Sequence, residues 1–296
     1  MPGQLKEVRS RIKSVQSTQQ ITKAMKMVSA AKLRRAQDAI VQLRPYARKL
    51  QEMLANIAGS AEGGNGGLRL AQERPVERVL LIVITSDRGL CGAYNANVQK
   101  LAKATIDGHY AEAHRKGNVT IWGIGKKGTE FFSKRGYRVD TSYRDTFLTL
   151  SFASVQACAQ AAVQAFLDRR FDVVELVYSE FRNAATQHFA VERFLPIPKA
   201  APAAGGKARQ HDFLFEPGRE ALIAELMPKI LNTQLYKAVL DAHASEHGAR
   251  MTAMDKATEN ANELLKSLKI TYNSARQAAI TTELTEIVSG AAALQG

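Results

Sequence analysis

The sequence predicts an α/β protein in two parts. A long antiparallel coiled coil of the N- and C-terminal helices is joined to a Rossmann-like α/β domain with a mostly parallel sheet. Three observations carry that prediction: one 3-4 apolar register from Leu5 to Ile57, a continuous apolar run at Val79–Ile84, and a stretch after Pro228 with no further proline up to Ser289.

The first register steps through Leu5, Val8, Ile12, Val15, Gln19, Thr22, Lys26, Ser29, Leu33, Ala36, Ile40, Leu43, Ala47, Leu50, Leu54 and Ile57, and twelve of these sixteen positions are apolar. Such a seam needs a partner helix to cover it. At about 1.5 Å per residue the helix is roughly 80 Å long. Its four polar positions are consecutive, and across them the apolar residues Ile21, Met25 and Val28 sit one place earlier. The stripe is expected to slip there, as at a stammer, turning another face toward its neighbours. Apolar spacing continues past Pro45, so a kink is expected rather than an end. Residues 60–67 read as a Gly-rich linker.

Val79–Ile84 has the composition of a central parallel strand, buried on both faces. After the turn Thr85–Gly92 come a helix over about 93–115, a strand at 119–124, a short helix at 126–134 and a weaker strand at 137–143. A helix at 152–167 and strands at 173–178 and 189–195 follow. This alternation predicts an α/β domain over 75–215. The stretch 199–210 reads as a loop. A short helix is expected over 219–226, with Pro228 in the first turn of the next. That second long helix carries a stripe of Leu235, Ala238, Ala242, Ala249, Met254, Ala257, Ala261, Leu264, Leu268, Tyr272, Ala275 and Ala279, continued by Ile280, Leu284, Ile287, Ala291 and Leu294. Packing 1–60 against 216–296 covers both stripes. Because one compact domain joins them, the pair must run antiparallel, as a rod with a knob at one end.

Composition narrows the function. Few aromatics (7%) suit long helices better than a thick β core. No apolar run approaches the roughly 20 residues of a membrane-spanning helix, and no signal peptide is expected, because the register begins by Leu5. Cys91 and Cys158 are isolated, as in a soluble protein of a reducing compartment. The net charge of +13 is uneven: residues 1–60 hold 12 Lys/Arg against 3 Asp/Glu, whereas residues 219–296 hold 8 against 9. A basic first helix attracts nucleic acid, anionic lipid or an acidic protein surface.

Catalytic signatures are weak. Gly123-Ile124-Gly125-Lys126-Lys127-Gly128 fits GxGxxG, but it follows the second strand and lacks an acidic strand end about 20 residues on. A nicotinamide-dependent enzyme is therefore a rival with little support. His243 and His247 lie one helical turn apart without completing HExxH. Ser86, Asp87 and Cys91 have no histidine placed to activate them. No catalytic site, cofactor or metal is expected.

Three segments, in order, carry a family resemblance: Gln19–Val28, Thr85–Gly92 and Tyr272–Ala291. Together they resemble the gamma subunit of bacterial F-type ATP synthases. The resemblance implies a non-catalytic central-stalk rotor shaft that couples ion flow through the membrane c-subunit ring to cycling of the beta subunits. The implied partners are the alternating alpha and beta hexamer, the epsilon subunit and the c ring. The implied location is peripheral, on the cytoplasmic face of the plasma membrane. By matching positions, Lys23, Met25, Lys26, Arg250, Arg276, Gln277, Thr281 and Glu283 are the expected coupling contacts, with Lys23 and Lys26 meeting an acidic lever of beta. Plastid members carry a regulatory cysteine pair late in the middle domain; neither cysteine lies there, so thiol switching is not expected. The alternative drawn from charge alone is a basic coiled-coil nucleic-acid-binding protein, with steeply salt-dependent binding.

Overall fold

The computed structural model describes residues 2–59, 69–184, 186–197 and 219–295. The expected linker at 60–67 and the loop at 199–210 lie outside the described residues. In chain order the elements are α1 (Pro2–Gly59), β1 (Val79–Ile84), α2 (Tyr94–His109), α3 (Ala111–Arg115), β2 (Val119–Ile124) and α4 (Lys126–Ser133). Then come β3 (Arg138–Asp140), α5 (Phe152–Leu167), β4 (Val173–Phe181), β5 (Gln187–Leu195) and α6 (Arg219–Gln295). The chain divides into two compact units, residues 1–29 with 250–296, and residues 30–249.

The second unit is built on a five-stranded sheet of order β3-β2-β1-β4-β5. β1 pairs in parallel with β2 on one side and β4 on the other, β3 adds in parallel to β2, and β5 closes antiparallel on β4. All six residues of β1 are fully buried. Leu80, Ile82 and Ile84 share a cluster with α5 (Val155, Ala159, Ala162, Phe166) and α6 (Leu231, Leu235, Ala238, Val239). Val79, Leu81 and Val83 face α2 and Phe132 of α4. Each such side chain contributes about 1.5–3 kcal/mol on burial, which is why this stretch is apolar without interruption. α5 starts cleanly because Ser151 and Ser154 cap it reciprocally.

Three expectations are corrected. The long helix over 93–115 is two helices, α2 and α3, separated at Tyr110. The weak strand over 137–143 shrinks to β3, three residues at the sheet edge. The separate helix at 219–226 does not exist: α6 runs through Pro228 without ending. A proline there removes one backbone hydrogen bond, and Met227, Ile230 and Leu231, buried on either side, hold the helix on the sheet. Pro45 likewise lies inside α1, which continues as expected. Gly248 is the close-approach glycine of α6: a Cβ there would meet backbone atoms of Ala184 at 3.2 Å.

In the first unit α1 and α6 form an antiparallel coiled coil. The pairs Arg9–Tyr272, Gln19–Asn262, Thr22–Thr258 and Lys26–Asp255 show numbers rising on one helix as they fall on the other. Leu5, Val8, Ile12 and Val15 face inward at intermediate exposure, and on α6 Met254, Ala261, Leu265 and Leu268 are buried. Leu265 rather than the expected Leu264 takes the inward position; Leu264 is exposed.

Candidate functional site

The site is the stretch of coil between Gln19 and Ser29. The expected slip of the stripe does not occur. Thr22 and Ser29 are 8% and 2% exposed, while Ile21 and Val28 stand 59% and 58% exposed. The helix keeps its 3-4 register and turns polar side chains inward because α6 offers polar partners there. The Gln19 amide donates to Asn262 Oδ1. The Thr22 and Thr258 hydroxyls share a hydrogen bond of 2.8 Å. Lys26 Nζ donates to Asp255 Oδ1 at 2.5 Å. About three turns nearer the start of α1, Arg9 donates to the Tyr272 hydroxyl at 2.9 Å. Such a layer leaves few buried polar groups unmatched only in one alignment, so it fixes register.

The expected contact residues fall into three groups. Lys23 is exposed beside the layer, and Met25 is half-buried. Lys26 is bound to its own chain through Asp255, with about 40% of its side chain still open, so its ammonium retains donors for a further carboxylate. Arg250 is buried, whereas Arg276, Gln277, Thr281 and Glu283 are all exposed on α6. The Thr281 hydroxyl is turned back onto the Gln277 carbonyl at 2.9 Å. The antiparallel pairing carries α6 past the start of α1, so residues beyond about 280 have no α1 residue opposite. Ile280, Leu284 and Ile287 are exposed there, not the buried seam expected of them, and Val288 beside them is exposed as well.

The glycine-rich turn is a second candidate, and its donors are already used. Lys126 N–H donates to Asp87 Oδ1 at 3.2 Å, Lys127 N–H to the Ser86 carbonyl at 3.0 Å, and Gly128 N–H to Thr85 Oγ1 at 2.8 Å. These are the amides a pyrophosphate would need. Gly125, at φ +96°, is required by the close approach, because a Cβ would lie 2.1 Å from the Thr85 carbonyl oxygen. The glycines therefore dock the turn after β1 onto α4. Ser86 is fully buried; its hydroxyl donates to the Arg88 carbonyl at 2.6 Å and accepts from Asn95 at 2.7 Å. Both cysteines are buried, and burial pushes the Cys158 thiol up. His243 and His247 face each other with Nε2 atoms 3.1 Å apart, and Phe147 stacks on His243.

Two acidic residues escaped the sequence reading. Asp172 accepts from Arg78 through Nε at 3.2 Å and Nη2 at 2.9 Å, and from the backbone amides of Glu77 and Arg78. Burial alone would raise its carboxyl, but Arg78 and these amides outweigh it and hold the group below the usual carboxylate range. Asp241 is its opposite. It is buried on α6 at a cavity of about 380 Å³, and no described residue hydrogen-bonds to it. Burial raises it to about 7, with Lys237 and Arg44 pulling down and Glu180 and Glu192 pushing up. The spacing of charged residues along a helix gives no hint of which one the tertiary fold will bury.

Among the described residues no helix is long and apolar enough to cross a membrane. The ATP synthase family profile matches residues 4–294. The chain is similar to the ATP synthase gamma chains of Cytophaga hutchinsonii (53% identical, 99% of each chain) and Chlorobaculum tepidum (51%, 98% of this chain and 99% of that one). Its fold is like that of a chain in the rotor of the Euglena gracilis mitochondrial ATP synthase, with a TM-score of 0.63 at 22% identity over 95% of this chain and 100% of that one. The chain belongs to the ATP synthase gamma-chain family.

Proposed function

We propose that this chain is the central rotor shaft of an F-type ATP synthase. Ion flow through a membrane ring turns it, and it drives the catalytic beta subunits in sequence through open and closed states. It is non-catalytic; nucleotide chemistry belongs to beta. In this reading residues 1–60 and 216–296 are the shaft, and residues 75–215 the foot that meets the epsilon subunit and the c ring. The alpha and beta hexamer surrounds the far end, and the complex is peripheral at the cytoplasmic face of the bacterial plasma membrane. Lys23, Met25, Lys26, Arg250, Arg276, Gln277, Thr281 and Glu283 are its coupling contacts.

The observation that supports this reading most is the unequal surface of the coil. Polar groups are drawn into the seam at 19–29, while Ile21 and Val28 face out. The bases Lys23, Lys32, Arg34 and Arg35 are exposed on α1, and Ile280, Leu284, Ile287 and Val288 on the overhang of α6. A shaft can bias a beta subunit only by contacting its two states differently at each angle, and a uniform rod would shift nothing. An apolar overhang that no described residue covers needs a partner, which a surrounding sleeve supplies.

The test is assembly and pumping. The tagged chain, expressed in cells, should co-purify with alpha, beta and epsilon subunits, and membranes containing it should acidify their interior when given ATP. The informative variant is Leu284→Asp together with Ile287→Asp, which should abolish pumping while leaving the sheet unit folded. Full pumping by that variant, or purification with nucleic acid instead of these subunits, would reject the rotor reading.

A further inference from the structure

At the free edge of the sheet lies a cleft of about 560 Å³. Its floor is Thr120 and Trp122 of β2, its outer wall is Arg138 and Asp140 of β3, and Arg170 and Phe171 of the α5–β4 turn close it. The register sets this: Thr120 pairs with Arg138 and Trp122 with Asp140, so side chains of both strands converge on one face.

The charge in the cleft is unbalanced. Asp140 is committed to its own turn, its Oδ1 accepting from the Ser142 amide at 2.9 Å and the Ser142 hydroxyl at 2.6 Å. Neither Arg138 nor Arg170 donates a hydrogen bond or forms an ion pair with any described side chain, and both are exposed at the rim. Trp122 and Phe171 meet edge to face, with ring centroids 6.4 Å apart. Trp122 is buried at the base, 5% exposed, and the half-buried Phe171 supplies the open aromatic surface. Two open guanidinium forks beside it match a flat ring carrying an oxyanion, which a guanidinium binds bidentately while the ring packs on Phe171. The size suits a small molecule.

We propose that this cleft is a binding site for a small planar oxyanion, an aromatic or heteroaromatic ring bearing a phosphate or a carboxylate. It stands apart from the rotor reading, since none of its residues is a proposed coupling contact.

Trp122 is the only tryptophan of the chain, so its fluorescence reports this cleft alone. The full chain is titrated with adenosine monophosphate, benzoate, adenosine and inorganic phosphate. A saturable change with adenosine monophosphate or benzoate is expected, and which of the two binds tells phosphate from carboxylate. Adenosine and phosphate, each lacking one half of the recognised group, should bind about tenfold more weakly or less. Arg138→Gln and Arg170→Gln, both at exposed positions and checked for unchanged circular dichroism, should each weaken binding about tenfold. Linear, non-saturating quenching by both ring compounds would overturn the proposal. So would binding of phosphate as tight as that of the ring compounds, or binding indifferent to both arginines.

Discussion

Ile82 and Ile21 are the same residue type in the two compact units, and their surroundings are reversed. Ile82 is fully buried in the middle of β1, with neighbours on both faces of the sheet. Ile21 stands 59% exposed, while Thr22 beside it is turned into the seam. In the sheet unit apolar area excluded from water supplies the stability, and a buried carboxyl is either paired, as Asp172 is with Arg78, or partly protonated near neutral pH, as Asp241 is. In the coil between residues 19 and 29, hydrogen bonds fix alignment, and apolar side chains remain outside. The first arrangement maximises stability of a fixed body. The second gives up some burial in exchange for one permitted register and an unequal outer face.

The largest effects should therefore lie in the sheet unit. Phe132→Ala, at a fully buried position of α4, should cost about 3–5 kcal/mol, read as a drop in the denaturation midpoint. Asp241 comes next. Its folded pKa of about 7 lies above the ordinary value of 3.8, so the folded state holds the extra proton. The resulting stabilisation is complete below about pH 4 and disappears as pH rises through about 7. Asp241→Asn should flatten that decline and make the protein more stable above pH 7 by on the order of 4 kcal/mol at most. Unfolding curves from pH 5 to 8 check it. A wild-type protein equally stable across that range would mean that Asp241 has a partner in solution after all.

Asp172 should show the opposite pH dependence at a smaller amplitude. Its carboxyl is held below the usual range, so its contribution is present above about pH 4 and is lost as pH falls through the folded value. Asp172→Asn should cost about 2 kcal/mol near neutrality, since the Arg78 end of the pair is half exposed. Acid unfolding of the variant should then begin from a lower plateau and show a shallower loss.

How much of this was legible in the sequence follows from the same contrast. β1, α5 and the two long helices were readable because their apolar spacing alone dictates them. The gap at Gln19, Thr22, Lys26 and Ser29 misled, because one helix read by itself cannot show that Asn262, Thr258 and Asp255 stand opposite. A polar run on one strand of a coil should be matched against polar residues on the other before a slip is inferred. The overhang misled for a related reason: Ile280, Leu284 and Ile287 have seam spacing, but the seam ends where α1 begins. Pro228 looks like a boundary in the sequence and is none in the fold, because packing on both sides of it outweighs one lost hydrogen bond. The cleft at the sheet edge leaves no sequence pattern at all, since β2, β3 and the α5–β4 turn meet only in the fold.

Lys26 allows the coil's internal role to be separated from its proposed external one. Lys26→Glu should place two carboxylates at Asp255, at a cost of about 1 kcal/mol or less because both side chains are roughly half exposed. Adding Asp255→Lys restores the pair with its charges exchanged. If Lys26 serves only alignment, the double variant recovers both thermal stability and ATP-driven pumping. If it also meets an acidic lever of the beta subunit, stability recovers and pumping stays low, which is the expected outcome.

The smallest effect sharpens the comparison most. Ile21→Ala removes the same atoms from the coil that an equivalent change at Ile82 would remove from the sheet. Because Ile21 is largely exposed, the isolated chain should lose no more than about 0.5 kcal/mol. The side chain nevertheless occupies the outer face, where a surrounding sleeve would bury it. In the assembled complex the same substitution should slow coupled turnover, although the free chain hardly registers it. Thermal unfolding of the free chain and pumping by the assembled enzyme, measured on one variant, separate these effects. A loss of several kcal/mol in the free chain would show that Ile21 is inside the coil, and the inverted arrangement of that stretch would be wrong.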